Sequence, residues 1–149
     1  MEYETYVSLE TAKLAVEKGF PEYNKCDYSY YYSPAHTIYD HRKGEDIEFE
    51  ETKPYVSNYK GDISPSIKLA PAPSQAYLHK WLREKHNIII DINWYGGLEY
   101  PRICFNYTIG GKVYGGHKKL GPVMDSYEEA LEFALFEALK LINEETENN

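Results

Sequence analysis

The sequence is short of the features that specify covalent cross-links, membrane spans and secretion. Its 149 residues include two cysteines, Cys26 and Cys104, and neither belongs to a CxxC pair. Two isolated cysteines do not make a disulfide framework, so we expect reduced thiols in a cytoplasm. No stretch approaches the roughly 18 apolar residues of a membrane span. The acidic first four residues lack the apolar core of a signal peptide, so secretion is not expected.

The sequence also lacks a catalytic or metal-binding motif with the required spacing. Thiol, carboxylate and imidazole groups gather only around the first predicted hairpin, as Cys26, Asp27, His36, Asp40 and His41. That order matches no zinc site and no pairing of a nucleophile with a base. His79 and His86 are two turns apart on one predicted helix, too far to chelate one ion directly. We therefore predict a protein that is not an enzyme and has no catalytic residue, metal or cofactor.

Positive charge is scarce except in one segment. The net charge is −8, yet residues 71–120 hold 7 basic and 3 acidic side chains, so an anion is attracted only there. The glycines and lysines of residues 110–119 lack the spacing of a P-loop. A plain β-hairpin with lysines for solubility is the simpler interpretation, and nucleic-acid contact is the alternative. The candidate anion-binding or nucleic-acid-binding residues are Lys80, Arg83, Arg102, Lys112, Lys118 and Lys119.

Tyrosine is unusually frequent, with 16 residues. A tyrosine ring is large and apolar with a polar tip, and it is therefore common on half-buried sheets and in protein interfaces. An aromatic-rich sheet and core explains most of the sixteen. The cluster in the first predicted strand is the candidate protein-interaction surface: Tyr28, Tyr30, Tyr31 and Tyr32.

Apolar spacing and capping residues predict an α+β fold in one domain, an antiparallel sheet with helices packed on one face. Ser8, Ser74 and Ser126 are N-caps, and Ser126 forms a capping box with Glu129. The predicted helices cover residues 9–18, 75–86 and from 127 onward. The predicted strands cover 26–32, 37–41, 47–51, 88–95, 103–109 and from 112 onward, with a two-residue hairpin at Gly110 and Gly111. Trp81 and Trp94 are expected in the core.

These elements predict an order along residues 1–149. A helix with a β-hairpin occupies residues 1–51, in which Ser33 and Pro34 turn the chain and Thr37 to His41 can return as a second strand beside the first. A loop follows over 52–73, then an α-β-β-β-α core over 74–143 and a frayed tail over 144–149. Residues 52–73 hold four prolines and no clear period, and a loop of this length can contain a short strand or a 3₁₀ turn.

Three phrases of the sequence resemble a family of small uncharacterised proteins from phages and prophages of gut bacteria. They lie at residues 7–20, 70–88 and 127–131, and include Val7-Ser8-Leu9-Glu10-Thr11-Ala12, Ala70-Pro71-Ala72-Pro73-Ser74-Gln75 and Tyr127-Glu128-Glu129-Ala130-Leu131. The resemblance implies a mobile-element protein inside a bacterial host cell. It implies no chemistry.

Residues 74–142 are also similar in topology to the double-stranded RNA-binding domain. The similarity includes Pro101-Arg102-Ile103, Gly110-Gly111-Lys112 and the final helix rich in alanine and leucine. That family contacts RNA phosphates with lysines at the start of its last helix. Here Tyr127, Glu128 and Glu129 occupy those positions, and each acid repels a phosphate.

Together these features predict a non-enzymatic phage or prophage accessory protein that binds a host or phage protein. A version of this hypothesis is nucleic-acid mimicry by the acids of residues 125–147, which solubility alone also explains. The alternative is a nucleic-acid-binding protein that uses the basic segment 80–119. An enzyme, the third class, requires a concave pocket with titratable groups of shifted pKa.

Overall fold

Three helices and eight strands make up the part of the chain that the computed structural model describes, namely residues 5–21, 26–58, 66–97, 100–111 and 119–147. The helices are Leu9–Glu17 (α1), Gln75–His86 (α2) and Tyr127–Glu147 (α3). The strands are Ser29–Tyr32 (β1), His36–Asp40 (β2), Glu45–Phe49 (β3), Tyr55–Ser57 (β4), Ile67–Pro71 (β5), Ile88–Gly97 (β6), Tyr100–Gly111 (β7) and Lys119–Leu120 (β8). All paired strands are antiparallel, so the α+β class is observed.

The three helices begin where serine caps were predicted. The hydroxyl of Ser8 accepts from the amide of Thr11 at 3.2 Å, and that of Ser74 accepts from the amide of Tyr77 at 3.1 Å. Ser126 accepts from the amide of Glu129 at 3.1 Å. Each hydroxyl satisfies an amide that has no partner within its own helix. The predicted helix boundaries are confirmed to within a residue at these starts.

The C-terminal half has the predicted order of a helix, three strands and a helix. Strands β6, β7 and β8 form one sheet in that order, and α2 and α3 pack on one face of it. On that face Ile88 and Ile90 of β6 lie beside Ile109 of β7, and all three are buried with Leu135 of α3. Trp94 lies farther along β6, opposite Phe105 of β7, and its side chain is 68% exposed. The prediction of Trp94 in the core is therefore wrong.

The two-residue hairpin predicted at Gly110 and Gly111 is also wrong. Both glycines belong to β7 and pair with Ile89 and Ile88 of β6. Gly111 has a positive φ of 109°, and a Cβ there would overlap the carbonyl oxygen of Asn87. The close approach of two backbones, rather than a turn, requires this glycine. The strand predicted from residue 112 lies outside the described residues up to 118, and β8 pairs with β7 at residues 119–120.

The N-terminal half differs most from the prediction, because the segment 52–73 contains strands β4 and β5. Both pair with β1, giving the strand order β4-β1-β5. Strand β2 pairs with β3 and does not return beside β1 as expected. Strand β5 packs against α1, and α1 packs against α3. Residues of α1 therefore share one core with the C-terminal half, which includes Ala12, Ala15, Leu78 and Leu135.

Candidate functional site

Strands β2 and β3 form a two-stranded arm, residues 36–49, that extends from the body of the protein. The strands pair from His36 opposite Phe49 to Asp40 opposite Glu45. Among the described residues they contact each other and make no substantial contact with another helix or strand. An isolated two-stranded hairpin is marginally stable in water. Both faces of the arm are therefore left largely uncovered by the other described helices and strands.

The arm continues the pairing of β1 with β4. Tyr31 lies opposite Tyr55 in that ladder. Beyond it, the amide of Thr52 donates to the carbonyl oxygen of Ser33 at 2.9 Å, and the amide of Ser33 donates to the hydroxyl of Thr52 at 3.0 Å. These two bonds join the base of the arm to the three-stranded sheet. Five residues of strand then span about 17 Å at roughly 3.3 Å per residue.

The tip of the arm is closed by Asp40. Its carboxylate accepts from the amide of Arg42 at 2.8 Å, and its carbonyl oxygen accepts from the amide of Gly44 at 2.8 Å. Gly44 has a positive φ of 65°, a conformation that glycine adopts without a steric penalty. The sequence of the tip therefore fixes the register of the two strands.

One face of the arm carries apolar side chains that no other described helix or strand covers. The rings of His36 and Phe49 stack with their centroids 4.9 Å apart and their planes at 9°. Ile38 and Ile47 form the next pair toward the tip. The exposed fractions are 51% for Ile38 and 45% for Phe49. Fully burying one such side chain contributes about 1.5–3 kcal/mol, so a partner that covers the remaining area gains roughly half of that for each.

The opposite face of the arm is acidic and carries one aromatic ring. Tyr39 pairs with Asp46, and Thr37 pairs with Glu48. Tyr39 is 52% exposed. Residues 36–49 hold four acidic side chains, two on this face and two at the tip end of the apolar face, and two basic ones, Arg42 and Lys43, which lie in the tip. The two strands themselves are therefore purely acidic in formal charge.

The four tyrosines predicted as an interaction surface lie in or next to β1, at the base of the arm. The hydroxyl of Tyr30 donates to the carbonyl oxygen of Val7 at 2.7 Å, and the ring of Tyr31 is buried beside Tyr55. The ring of Tyr28 packs against Tyr6 with centroids 5.0 Å apart. A hydrogen bond to Glu51, which favours the protonated phenol, raises the pKa of Tyr32. These contacts hold β1 in the body, and an interaction role for the four stays a prediction.

The basic residues predicted to bind an anion do not converge in the described structure. Lys80 lies 4.0 Å from the carboxylate of Glu84 on α2, where Arg83 is also exposed. Arg102 lies at the opposite end of the β6–β7 ladder from α2 and pairs with Asp125 at 3.1 Å. Lys112 and Lys118 lie outside the described residues, and Lys119 is described only as backbone of β8.

Cys26 lies in a small pocket beside the start of α2. The pocket has a volume of about 140 Å³, and its lining includes Cys26, Asp27, Tyr28 and Tyr77. Burial, reinforced by the charge of Asp27 and opposed by that of Lys68, raises the pKa of the Cys26 thiol. The thiol is therefore protonated at neutral pH and a poor nucleophile. The volume is well below the roughly 300–1,000 Å³ of pockets that hold drug-sized ligands.

The other members of the predicted cluster around the first hairpin have separate partners. The ring nitrogen Nδ1 of His36 lies 2.9 Å from the carbonyl oxygen of Pro34, and Asp40 closes the tip of the arm. Over the described ranges, no three histidine, cysteine, aspartate or glutamate side chains come together in a way that could hold a metal ion. In the same ranges, no helix has the length and apolar character needed to cross a membrane.

Comparisons with protein-family models, with curated proteins and with solved structures gave no match. The resemblances to phage proteins and to the double-stranded RNA-binding domain therefore stay predictions.

Sequence reasoning located β3 as an acidic edge strand but missed the exposed apolar face of the arm. The alternation of Ile47 and Phe49 with acids was the available signal. Pairing of β2 with β3, which places Ile38 beside Ile47, completes that face.

Proposed function

We propose that this protein is a non-enzymatic accessory protein that binds a protein partner through the arm. The observation that carries the proposal is the uncovered apolar face, with Ile38 and Phe49 each about half exposed on a sheet of only two strands. The resemblance to phage and prophage proteins suggests a host or phage protein in the bacterial cytoplasm as the partner.

The chemistry of the arm supports a protein partner over a nucleic acid. Strands β2 and β3 carry the acids Asp40, Glu45, Asp46 and Glu48 and no lysine or arginine. Each acid repels a phosphate, whereas the apolar side chains between them match the composition of a protein interface. The acidic first turn of α3, with Glu128 and Glu129 exposed, likewise opposes binding of RNA at that helix end.

Site-specific photocrosslinking tests the proposal. A benzophenone amino acid is placed at Ile38, at Phe49 and, as the control, at the exposed Glu84 of α2. Each protein is irradiated in a bacterial lysate, with and without nuclease. We expect a defined protein adduct from positions 38 and 49 that survives nuclease and is absent from position 84.

A second variant separates specific docking from adventitious adducts. Phe49→Ser removes the stacked ring beside the crosslinker at position 38 while leaving the ladder of the arm in place. The adduct at position 38 should then fall severalfold. An adduct that is lost on nuclease treatment supports the nucleic-acid alternative, and equal adducts from positions 38 and 84 contradict the proposal.

A further inference from the structure

We infer that the occupant of the arm is an extended protein segment that alternates basic and apolar residues and adds as a third strand to the outer edge of β3. This inference rests on the proposed function and names the chemistry of the partner. Strand β3 pairs with β2 on one side, and no strand within the described ranges pairs with its other side. Every second residue of such an edge directs its N–H and C=O groups outward, where another strand can bind them.

The register of the arm fixes what each face of β3 offers to that strand. Side chains alternate between faces along a strand, so Ile47 and Phe49 lie on the apolar face, with Glu45 at its tip end, and Asp46 and Glu48 lie on the other face. A strand paired with β3 places its own side chains next to these, residue by residue. Apolar side chains of the incoming strand therefore extend the face formed with Ile38, and basic ones lie beside the two acids.

The same acids select against other occupants. An antiparallel pairing of β3 with β3 of a second copy places acid next to acid, and like charges directly opposite each other are destabilising. A neutral strand leaves the acids partly desolvated without a counter-charge, which also costs free energy. Lysine or arginine at alternate positions removes both penalties, so the charge pattern favours a basic partner.

The outer edge of β2 offers less negative charge to an incoming strand than that of β3. Its five residues include one acid, Asp40, and that carboxylate already accepts a hydrogen bond from the amide of Arg42. Thr37 and Tyr39, on the face opposite Ile38, are neutral. The charge complementarity therefore assigns the incoming strand to β3.

Defined peptides test the inference on the whole chain. A short peptide alternating lysine and valine is compared with one alternating glutamate and valine, and binding is followed by amide chemical shifts of residues 36–49. We expect the lysine peptide to shift the amides of β3 more than those of β2, and the glutamate peptide to leave both unchanged. The double variant Asp46→Asn with Glu48→Gln should weaken the affinity about 2- to 30-fold, the value expected for two cross-strand ion pairs.

A charge-matched variant excludes general attraction to a protein of net charge −8. Glu128→Gln with Glu129→Gln removes two exposed acids from α3, and the affinity should stay within about twofold, the small change expected for charges on an exposed surface far from the bound strand. Equal weakening by the two double variants contradicts a specific site at β3.

If both peptides bind the arm equally, the basic partner is excluded while the arm remains a docking surface. If neither binds but the crosslinks at positions 38 and 49 persist, the partner is not a basic strand.

Discussion

At the scale of single residues, His79 is the titratable group of α2 whose surroundings oppose its charge. Burial, the largest cause, and the positive charge of Arg83 lower its pKa. A hydrogen bond to the backbone of Ile90 and the negative charge of Asp91 act in the opposite direction without cancelling the effect. The neutral imidazole is therefore the form that the folded protein favours.

This environment predicts that acid destabilises the protein partly through His79. The pKa of His79 in the folded protein lies below the ordinary histidine value of 6.5, so the unfolded chain takes up the proton first as the pH falls. The contribution to stability is present above that value and is lost as the pH falls through the folded pKa. Urea unfolding between pH 7.5 and pH 5 should show a steeper loss of stability for the wild type than for His79→Gln, whose amide can still donate to Ile90. Equal slopes for the two proteins would contradict this prediction.

At the scale of elements, the segment that follows β8 runs close beside β7 because it contains Gly121. The amide of Gly121 donates to the carbonyl oxygen of Tyr107 at 2.8 Å. A Cβ at residue 121 would overlap the ring of Tyr107, which is itself 3% exposed. The bridge between Phe105 and Met124 continues the same line of pairing.

Gly121→Ala should therefore destabilise the protein by about 1–3 kcal/mol, because the buried ring has to move. Gly96→Ala is the matched control in the same sheet, where the nearest atom is Cγ1 of the exposed Ile103 side chain at 3.3 Å. Its effect should be clearly smaller in the same urea titration. A double-mutant cycle with Tyr107→Leu identifies the clash, since the two substitutions should be strongly non-additive. A Gly121→Ala protein as stable as the wild type would exclude the clash.

The elements that sequence analysis predicted are those whose signals are local. Ser8, Ser74 and Ser126 lie within three residues of the amides they cap, and the apolar period of each helix is internal to it. Strand β4 has three residues and β5 has five, and each is defined by its pairing with β1 far away in the sequence. No local pattern specifies such a partner, so the sequence alone predicts a loop over residues 52–73.

The difference between local and long-range signals also explains why the sequence did not predict the exposed apolar face of the arm. The alternation of acids with Ile47 and Phe49 is local, and it correctly indicated an edge strand. Whether the apolar face is covered depends on which element packs against it, and no described helix or strand makes substantial contact with it. Trp94 shows the reverse case, since its alternation with Ile92 is regular and yet its side chain is largely exposed.

At the scale of the whole molecule, Glu132 of α3 joins the two halves of the chain. One carboxylate oxygen accepts from the amide of Ser8 at 2.8 Å and from the hydroxyl of Thr11 at 2.7 Å. The other accepts from the side-chain amide of Gln75 at 3.3 Å, and that amide also donates to the carbonyl oxygen of Glu128 at 2.9 Å. The starts of α1 and α2 are thereby held against α3.

We therefore expect both halves to unfold in one cooperative transition. Val7, Ala12, Ala15 and Phe20 are buried in the same core as Leu135 and Leu139, so separating α1 from α3 exposes apolar surface on both sides. Glu132→Ala should lower the free energy of unfolding by about 1.5–3 kcal/mol, since it removes hydrogen bonds to a charged acceptor. Glu132→Gln, which keeps one acceptor oxygen, should lower it less.

Amide hydrogen exchange distinguishes a cooperative molecule from two independent units. If the protein unfolds as a whole, Glu132→Ala lowers the exchange free energy of the slowest amides of α1 and α3 by the same amount. If the N-terminal half opens separately, the substitution affects α1 and β5 while the amides of β6 and β7 keep their wild-type protection. We expect α1 and α3 to lose the same amount of protection, because the Glu132 carboxylate and the shared core join these two helices. Protection that falls in α1 alone would show that these contacts do not couple the halves.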